Sequence, residues 1–369
     1  MNPEAIPYFD MSALTAGMQP RDSVIVDERS QNALLKRLQH HYKCIKKEQR
    51  LQSDIYLPAG EWREHINMRM PHYQAFFDET TERLAELLQN FWRNELGVLV
   101  KQYAGYQQLQ GDANKRIDYA ERMAYDLMIW SNLIERDVAE LSIPEVGHPW
   151  GYVWKGVLVG SKVLRYHLLA NQVEGLFSDI ERPVVAEIGA GYGGLAYFLM
   201  RGTENRVYID FDLPETLVVS AYYLGMTLPH RRIYLHEEGP VDWSATLSNY
   251  DVILLPNWCI DTLPESTVDV FLNTFSLSEM SQPVIEKYLL RIAVACRNYF
   301  LHNNMDRIGV VNCGHLRTPG SQYPFPAGTF KLLSKHYDMF QELHSGRDGD
   351  YREFLYQRTS KAIDVARAA

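Results

Sequence analysis

The chain has 369 residues, 46% of them hydrophobic and 22% charged; this is globular composition at a length that favours two domains. Its formal net charge of −9 argues against nucleic acid as the main partner, because phosphate binding needs concentrated Lys and Arg. No run approaches the roughly 18 apolar residues of a membrane span, so none is expected.

The first residues show no basic stretch followed by an apolar core, and no secretory signal is expected. The four cysteines, Cys44, Cys259, Cys296 and Cys313, form no closely spaced pair and no zinc spacing. They read as free thiols of a cytoplasmic protein. Aromatic residues reach 12%, which suits either a ring-heavy core or a pocket with flat walls on which sugars dock.

Up to about residue 180 the pattern is helical. Ser30 to Gln52 has Ser30 as a cap and apolar positions at Leu34, Leu35, Leu38 and Tyr42. Its basic stretch Lys43 to Arg50 reads as a solvated helix face. Pro71 to Leu96 opens with proline and carries Phe76, Phe77, Leu84, Leu87, Leu88 and Phe91 at helical spacing. Asn114 to Asp137 and Lys155 to Phe177 repeat the theme, and no alternating strand is visible. Residues 1–178 are therefore expected to form an α-helical region serving substrate recognition, with a homodimer through it as the expected assembly. Within it, "GHPWGYVWKG" (Gly147 to Gly156) is dense in rings. Trp150, Tyr152 and Trp154 are candidates for stacking against a sugar, or else a plug between domains. Arg165, Tyr166 and His167 follow on a helix that would face the same cleft.

From residue 179 the texture changes. "RPVVAEIG", "NRVYIDFD", "RRIYLHE", "YDVILLP", "VDVFLNTF" and "NYFLHNN" read as strands. "GLAYFLMR", "PETLVVSAYYLGM" and "PVIEKYLLRIAVAC" read as helices between them. "MFQELHSGRDGDYREFLYQR" reads as two strands joined by a Gly/Asp turn. The alternation implies a doubly wound, mostly parallel sheet closed by an antiparallel hairpin. Either "RRIYLHE" or "YDVILLP" serves as its third strand. The Pro-rich stretch Arg317 to Gly328 suits a lid.

The first strand ends in "EIGAGYGG", where Gly189, Gly191 and Gly194 satisfy G-x-G-x-x-G. A dinucleotide and S-adenosylmethionine both dock on such turns, and two acids separate them. Glu187 stands where a pyrophosphate would be repelled but an ammonium and a sulfonium would be attracted. Asp212 ends the next strand, 21 residues after Gly191, where a carboxylate can accept hydrogen bonds from both ribose hydroxyls. Asp210 competes for that role, and an N-cap is the plain alternative for Asp212.

"EIGAGYGG" followed by "FDLPE" resembles the class I S-adenosylmethionine-dependent methyltransferases. "VDVFLNTFSLSEMSQPVIEKYL" and "YFLHNN" are similar to a narrower group, the sugar O-methyltransferases. The resemblance covers about residues 140 to 305. It implies a Rossmann-like methyltransferase fold, S-adenosylmethionine as cofactor, and a small-molecule or glycan hydroxyl as acceptor. The expected cofactor residues are Glu187, Gly189, Ala190, Gly191, Tyr192, Asp210, Asp212, Leu213, Asn257, Trp258 and Asn273, with Glu237 and Asp242 the alternative to Asn257 and Trp258 beside the adenine. The expected acceptor residues are Trp150, Tyr152, Trp154, Tyr166, Ser278 and Asn303. Methyl transfer to an alcohol needs in-line approach and a base, and the candidates are Glu279, His302 and His315. No pair of acids with a histidine stands at ligand spacing, so no metal is expected. A non-sugar alcohol or phenol as acceptor, or a non-catalytic S-adenosylmethionine-binding partner protein, are the competing readings.

Overall fold

The computed structural model describes residues 9–21, 28–100, 105–177, 180–237, 239–310, 316–341 and 350–359. His315 and Cys313 lie outside the described residues.

The chain begins with helices α1 (Met11–Met18), α2 (Glu28–Gln49), α3 (Gly60–Tyr73), α4 (Glu82–Gln89), α5 (Tyr106–Gly111) and α6 (Ala113–Leu133). Helix α2 covers most of the expected segment but starts at Glu28, so that Ser30 lies inside its first turn instead of capping it, and it ends at Gln49; α6 is capped by Asp112, which accepts from the N–H groups of Asn114 and Lys115. The segment expected as one helix from Pro71 differs. Pro71 lies inside α3, near its end, where it removes little of the hydrogen-bond ladder. The chain then breaks through a 3₁₀ turn, Gln74–Phe77, before α4.

The ring-rich segment also departs from expectation. It forms a hairpin of β1 (Tyr152–Trp154) and β2 (Val157–Val159), and the helix that follows, α7, spans only Val163–Glu174. Lys155 and Gly156 at its tip have φ of 48° and 81°, the left-handed pair that a two-residue hairpin turn needs.

The second half runs β3 (Val184–Ile188), α8 (Gly194–Met200), β4 (Val207–Asp212), α9 (Pro214–Thr227), β5 (Ile233–Leu235), α10 (Trp243–Asn249), β6 (Val252–Pro256), β7 (Val268–Thr274), α11 (Gln282–Ala295) and β8 (Cys296–Met305). A small hairpin, β9 (Gly309–Val310) with β10 (Leu316–Arg317), precedes β11 (Phe330–Tyr337) and β12 (Tyr351–Arg358). The eight-stranded sheet has the order β11-β12-β8-β7-β3-β4-β6-β5. Strands β3 to β8 are parallel, and β12 is antiparallel to both β8 and β11. This is the doubly wound, mostly parallel sheet closed by an antiparallel hairpin that the sequence led us to expect. Both candidates for the third strand are strands: β6 pairs with β4, and β5 forms the three-residue edge. The closing hairpin exists, but its first strand is Phe330–Tyr337 rather than the segment from Met339. That strand is a solvent edge guarded by Lys331, Lys335 and His336, so it lacks the apolar alternation by which a strand is read.

Every residue of β4 and β6 is buried, as parallel strands covered on both faces must be. One apolar core runs without interruption from the helical region into the sheet, and α2 packs along α9. The order reverses at β3, whose neighbours are β4 and β7. Ligands of such sheets bind beyond the carboxyl ends of the strands at this reversal.

Candidate functional site

At the reversal the chain turns through Gly189, Gly191 and Gly193, with φ of 78°, 67° and 84°. Side chains rarely adopt that region, so glycine is required. A Cβ on Gly189 would lie 2.6 Å from the Ser276 hydroxyl, whereas one on Gly191 would meet open space. The backbone at Gly191 is thus bare toward a cavity of about 730 Å³.

Asp212, at the tip of β4, lines this cavity. Its Oδ2 accepts from the Gly191 N–H at 3.1 Å and its Oδ1 from the Leu213 N–H at 2.7 Å. Burial outweighs these two donors and pushes its pKa up to about 7. The helix cap of α9 is Leu213, so the capping alternative for Asp212 is not what the structure shows. The walls are apolar: Ile55, Leu57 and Pro58 descend from the loop before α3, opposite Phe211, Leu213 and Val284. Asn257, just after β6, supplies a polar edge and donates to the Tyr56 carbonyl at 3.1 Å.

A second cavity, about 1070 Å³, opens on the other side of the turn. It carries Lys162, Arg165 and Tyr166 from the start of α7, Thr274 and Phe275 from the end of β7, and Glu61 and His65 from α3. The two cavities share Trp62, Gly189, Gly191, Ser276 and Glu279. Glu279 therefore stands at their junction, in a 3₁₀ turn after β7. Its Oε2 accepts from the indole N–H of Trp62 at 2.6 Å. Burial raises its pKa, while the Trp62 hydrogen bond and the charges of Lys162 and Arg317 pull it back. Phe275, with φ of 70°, is a non-glycine residue in the left-handed region. Its ring lies under the Arg165 guanidinium at 4.6 Å and edge-on to Tyr351 at 5.2 Å. Such backbone strain gathers at ligand sites.

Several expected site residues line these cavities: Gly189, Ala190, Gly191, Asp212, Leu213, Asn257, Tyr166 and Glu279. Others do not. Glu187 is buried beneath the turn, where its carboxylate accepts from Tyr208 at 2.5 Å and Thr274 at 3.5 Å; burial lifts its pKa to about 7. Asp210 faces α9 and accepts from Ser220 at 3.3 Å. Burial, reinforced by the charges of Asp212 and Glu187, holds its pKa well above the usual range. Tyr192 belongs to the ring core, with Tyr223 at 5.1 Å and Trp92 at 5.3 Å. Asn273 braces the turn from behind, donating to the Ile188 carbonyl at 2.9 Å. Trp258 is buried and donates to Glu48 at 3.3 Å.

Among the acceptor and base candidates, His302 is fully buried between Phe354 at 4.6 Å and Tyr323 at 5.1 Å, and burial drives its pKa down to about 3. It lines neither cavity. Ser278 is bound to Asn304 at 2.9 Å, and Asn303 donates to Asp338. The indole of Trp150 donates to the Trp92 carbonyl at 2.8 Å, and the Tyr152 hydroxyl accepts from the Asp10 N–H at 3.1 Å. Trp154 carries Lys155 over its ring. These three rings line neither shared cavity; Trp150 and Tyr152 fill the core, as a plug would. Of the trio on α7, Arg165 and Tyr166 reach the second cavity, while His167 packs on Trp130 and Phe198. The Pro-rich stretch after Arg317 is packed down, with Tyr323 buried on His302, instead of standing free as a lid.

Sequence reasoning missed Trp62, the roof Ile55–Pro58, and Lys162. No local signal marks them, because their partners lie far along the chain; Trp62 and Glu279 are 217 residues apart. Among the described residues no group of three or more His, Cys, Asp or Glu could hold a metal ion. No described helix is long and apolar enough to cross a membrane.

No protein-family model matches the sequence, and no curated protein matches it. Solved structures of methyltransferases do resemble it. Magnesium protoporphyrin IX methyltransferase (ChlM) from Synechocystis PCC 6803, with bound SAM, is 9% identical; the match covers 54% of this chain and 82% of that one, with a TM-score of 0.36. For the mitomycin 7-O-methyltransferase MmcR the figures are 14%, 73%, 68% and 0.36. For a SAM dependent methyltransferase from Aquifex aeolicus they are 15%, 52%, 89% and 0.32. Likeness this distant leaves donor, acceptor and reaction to the chemistry of the site itself.

Proposed function

We propose that the chain is an S-adenosylmethionine-dependent O-methyltransferase acting on a hydroxyl group. The observation that carries this reading is the charge of the first cavity. Among the described residues its only charged lining groups are acids, Asp212 and Glu279, around a glycine turn. A pyrophosphate would be repelled there. A ligand with an ammonium, a sulfonium and a ribose diol, but no phosphate, is attracted.

S-Adenosylmethionine, when bound, supplies a methyl group on a positively charged sulfur. Asp212 fits the ribose diol, Asn257 and the apolar walls fit adenine, and Gly191 leaves the backbone bare for the amino acid portion. Glu279, at the cavity junction, takes the proton of the acceptor hydroxyl as that oxygen gains the methyl group. Its carboxylate is held by Trp62, so it presents one oriented oxygen to the acceptor. The second cavity receives the acceptor.

A sugar is the acceptor class we favour within this reading. Trp62, Tyr166, Phe275 and Tyr351 give the second cavity flat walls for sugar CH groups. The exposed Leu51 and Met68 of the helical region fit the homodimer that belongs to the same reading, which sedimentation would test.

Isothermal titration tests the donor: S-adenosylhomocysteine should bind and NADH should not. The reverse result sinks the proposal. Transfer of labelled methyl to nucleotide sugars, but not to phenols or polyketide alcohols, tests the acceptor. Donor binding with no transfer to any hydroxyl would mean a binding protein without catalysis.

A further inference from the structure

The second cavity holds two cations that the proposed methyl transfer does not use. Lys162 and Arg165 sit in the first turn of α7, where the helix dipole disfavours positive charge. Arg165 is buried and pairs with Asp338 at 3.0 Å. Lys162 donates to the Leu99 carbonyl at 3.3 Å, and no described carboxylate lies within ion-pairing distance of it. The surrounding protein pushes its pKa down to about 8, so it still carries most of its charge at neutral pH. The acids of the same cavity, Glu61 and Glu279, are the other charges that face it. An ammonium kept in such a place lacks an anion, and the cost of burying it is offset when one arrives.

We propose that Lys162, with Arg165 beside it, forms a carboxylate-binding subsite in the second cavity. The inference rests on the donor reading above. Two sources of carboxylate fit: the α-carboxylate of the donor and an acid group on the acceptor. The subsite shares its cavity with Gly189, Ala190 and Gly191, a position that favours the donor. In that case the turn and Lys162 divide the methionine portion between them, and Lys162 is a positioning residue for the methyl group.

The test is calorimetric, on the full chain and its variants Lys162→Met and Lys162→Arg. S-Adenosylhomocysteine and 5′-methylthioadenosine, which lacks the amino acid portion, are titrated into each. A donor carboxylate predicts that Lys162→Met weakens S-adenosylhomocysteine about tenfold or more, as for loss of a charged hydrogen bond. Lys162→Arg should restore most of that affinity, and 5′-methylthioadenosine should be indifferent to both changes. Restoration by arginine also rules out misfolding as the cause. In a second arm, each protein saturated with S-adenosylhomocysteine is titrated with glucuronate, a sugar acid, and its neutral amide. Preference for the carboxylate that disappears only in Lys162→Met assigns the subsite to the acceptor. If S-adenosylhomocysteine binds but neither arm depends on Lys162, the subsite is refuted and the donor reading stands. If the wild type binds neither adenosine compound, the donor reading fails and the subsite falls with it.

Discussion

Replacing Asp212 with asparagine separates the proposed role of this residue from mere burial. Both carboxylate oxygens already face a backbone donor, Gly191 N–H at 3.1 Å and Leu213 N–H at 2.7 Å. Asparagine can serve only one of them with oxygen, so its amide N–H₂ must oppose the other. It also presents one neutral acceptor to the ribose in place of two charged ones. Losing a charged hydrogen bond costs about 1.5–3 kcal/mol, and an unsatisfied buried donor costs about as much. A loss of about 3 kcal/mol, or about 100-fold in S-adenosylhomocysteine affinity, is expected at pH 8.

The pH dependence sharpens the test. The carboxylate form of Asp212 binds the diol, and its pKa stands at about 7. Affinity should be flat above pH 7 and fall about tenfold per unit below it, as protonation removes the acceptor. Asp212→Asn should show no such slope. Glu187 also titrates at about 7, but it lines neither cavity, so Glu187→Gln should retain the slope. Calorimetry from pH 5.5 to 8.5 measures all three proteins. Asp212→Asn binding within about threefold of wild type at pH 8, or sharing its slope, would refute the assignment.

Glu279→Gln should lower kcat about 100-fold or more while leaving donor affinity within about threefold, the signature of a lost base. Trp62→Phe removes the hydrogen bond that lowers the Glu279 pKa, so the acid limb of the kcat/KM profile should move to higher pH; an unmoved limb would dissociate Trp62 from the base. Gly191→Ala should melt about 1 kcal/mol less stable, from its φ alone, yet lose donor binding, because its Cβ enters the cavity. Gly189→Ala should lose more stability, since its Cβ meets Ser276, and equal melting of the two would count against this distinction. His302→Phe should keep turnover within about threefold, because the ring is sealed among Phe354, Tyr323 and Tyr356; loss of activity would return His302 to the mechanism.

Apart from the short helix α10 (Trp243–Asn249), the order of elements from Val184 to Met305 was readable because each carries its own local signal. Buried parallel strands read as apolar runs, and a strand that ends in glycines before a helix fixes the turn. The helical region was readable only in part. The hairpin Tyr152–Val159 hides in a ring-rich stretch whose turn, Lys155-Gly156, has an unremarkable first residue. The roof over the first cavity comes from Ile55 to Trp62, and nothing in those residues announces a partner in the loop after β7. Glu279 was visible as an acid after a strand. Its oriented state was not, since the orienting indole is 217 residues away.

The strand-borne candidates that line neither cavity share one physical cause, which is depth. Side chains on a strand alternate faces, so residues two apart share a face but sit about 7 Å apart along it. Glu187 and Asp210 are paired across β3 and β4, and Asp212 is one pleat further toward the edge. All three acids lie on one face, but only the last reaches the cavity. The others are absorbed by Tyr208 and Thr274, which bond Glu187, and by Ser220, which bonds Asp210. His302 shows the same rule on β8. It is level with Asn273, itself one residue short of the strand end; Asn273 is bonded behind the turn and His302 is sealed among Phe354, Tyr323 and Tyr356. Composition and spacing identify which acids and histidines stand near strand ends. Whether they touch a ligand depends on the last pleat, and that is fixed only when neighbouring strands set their register.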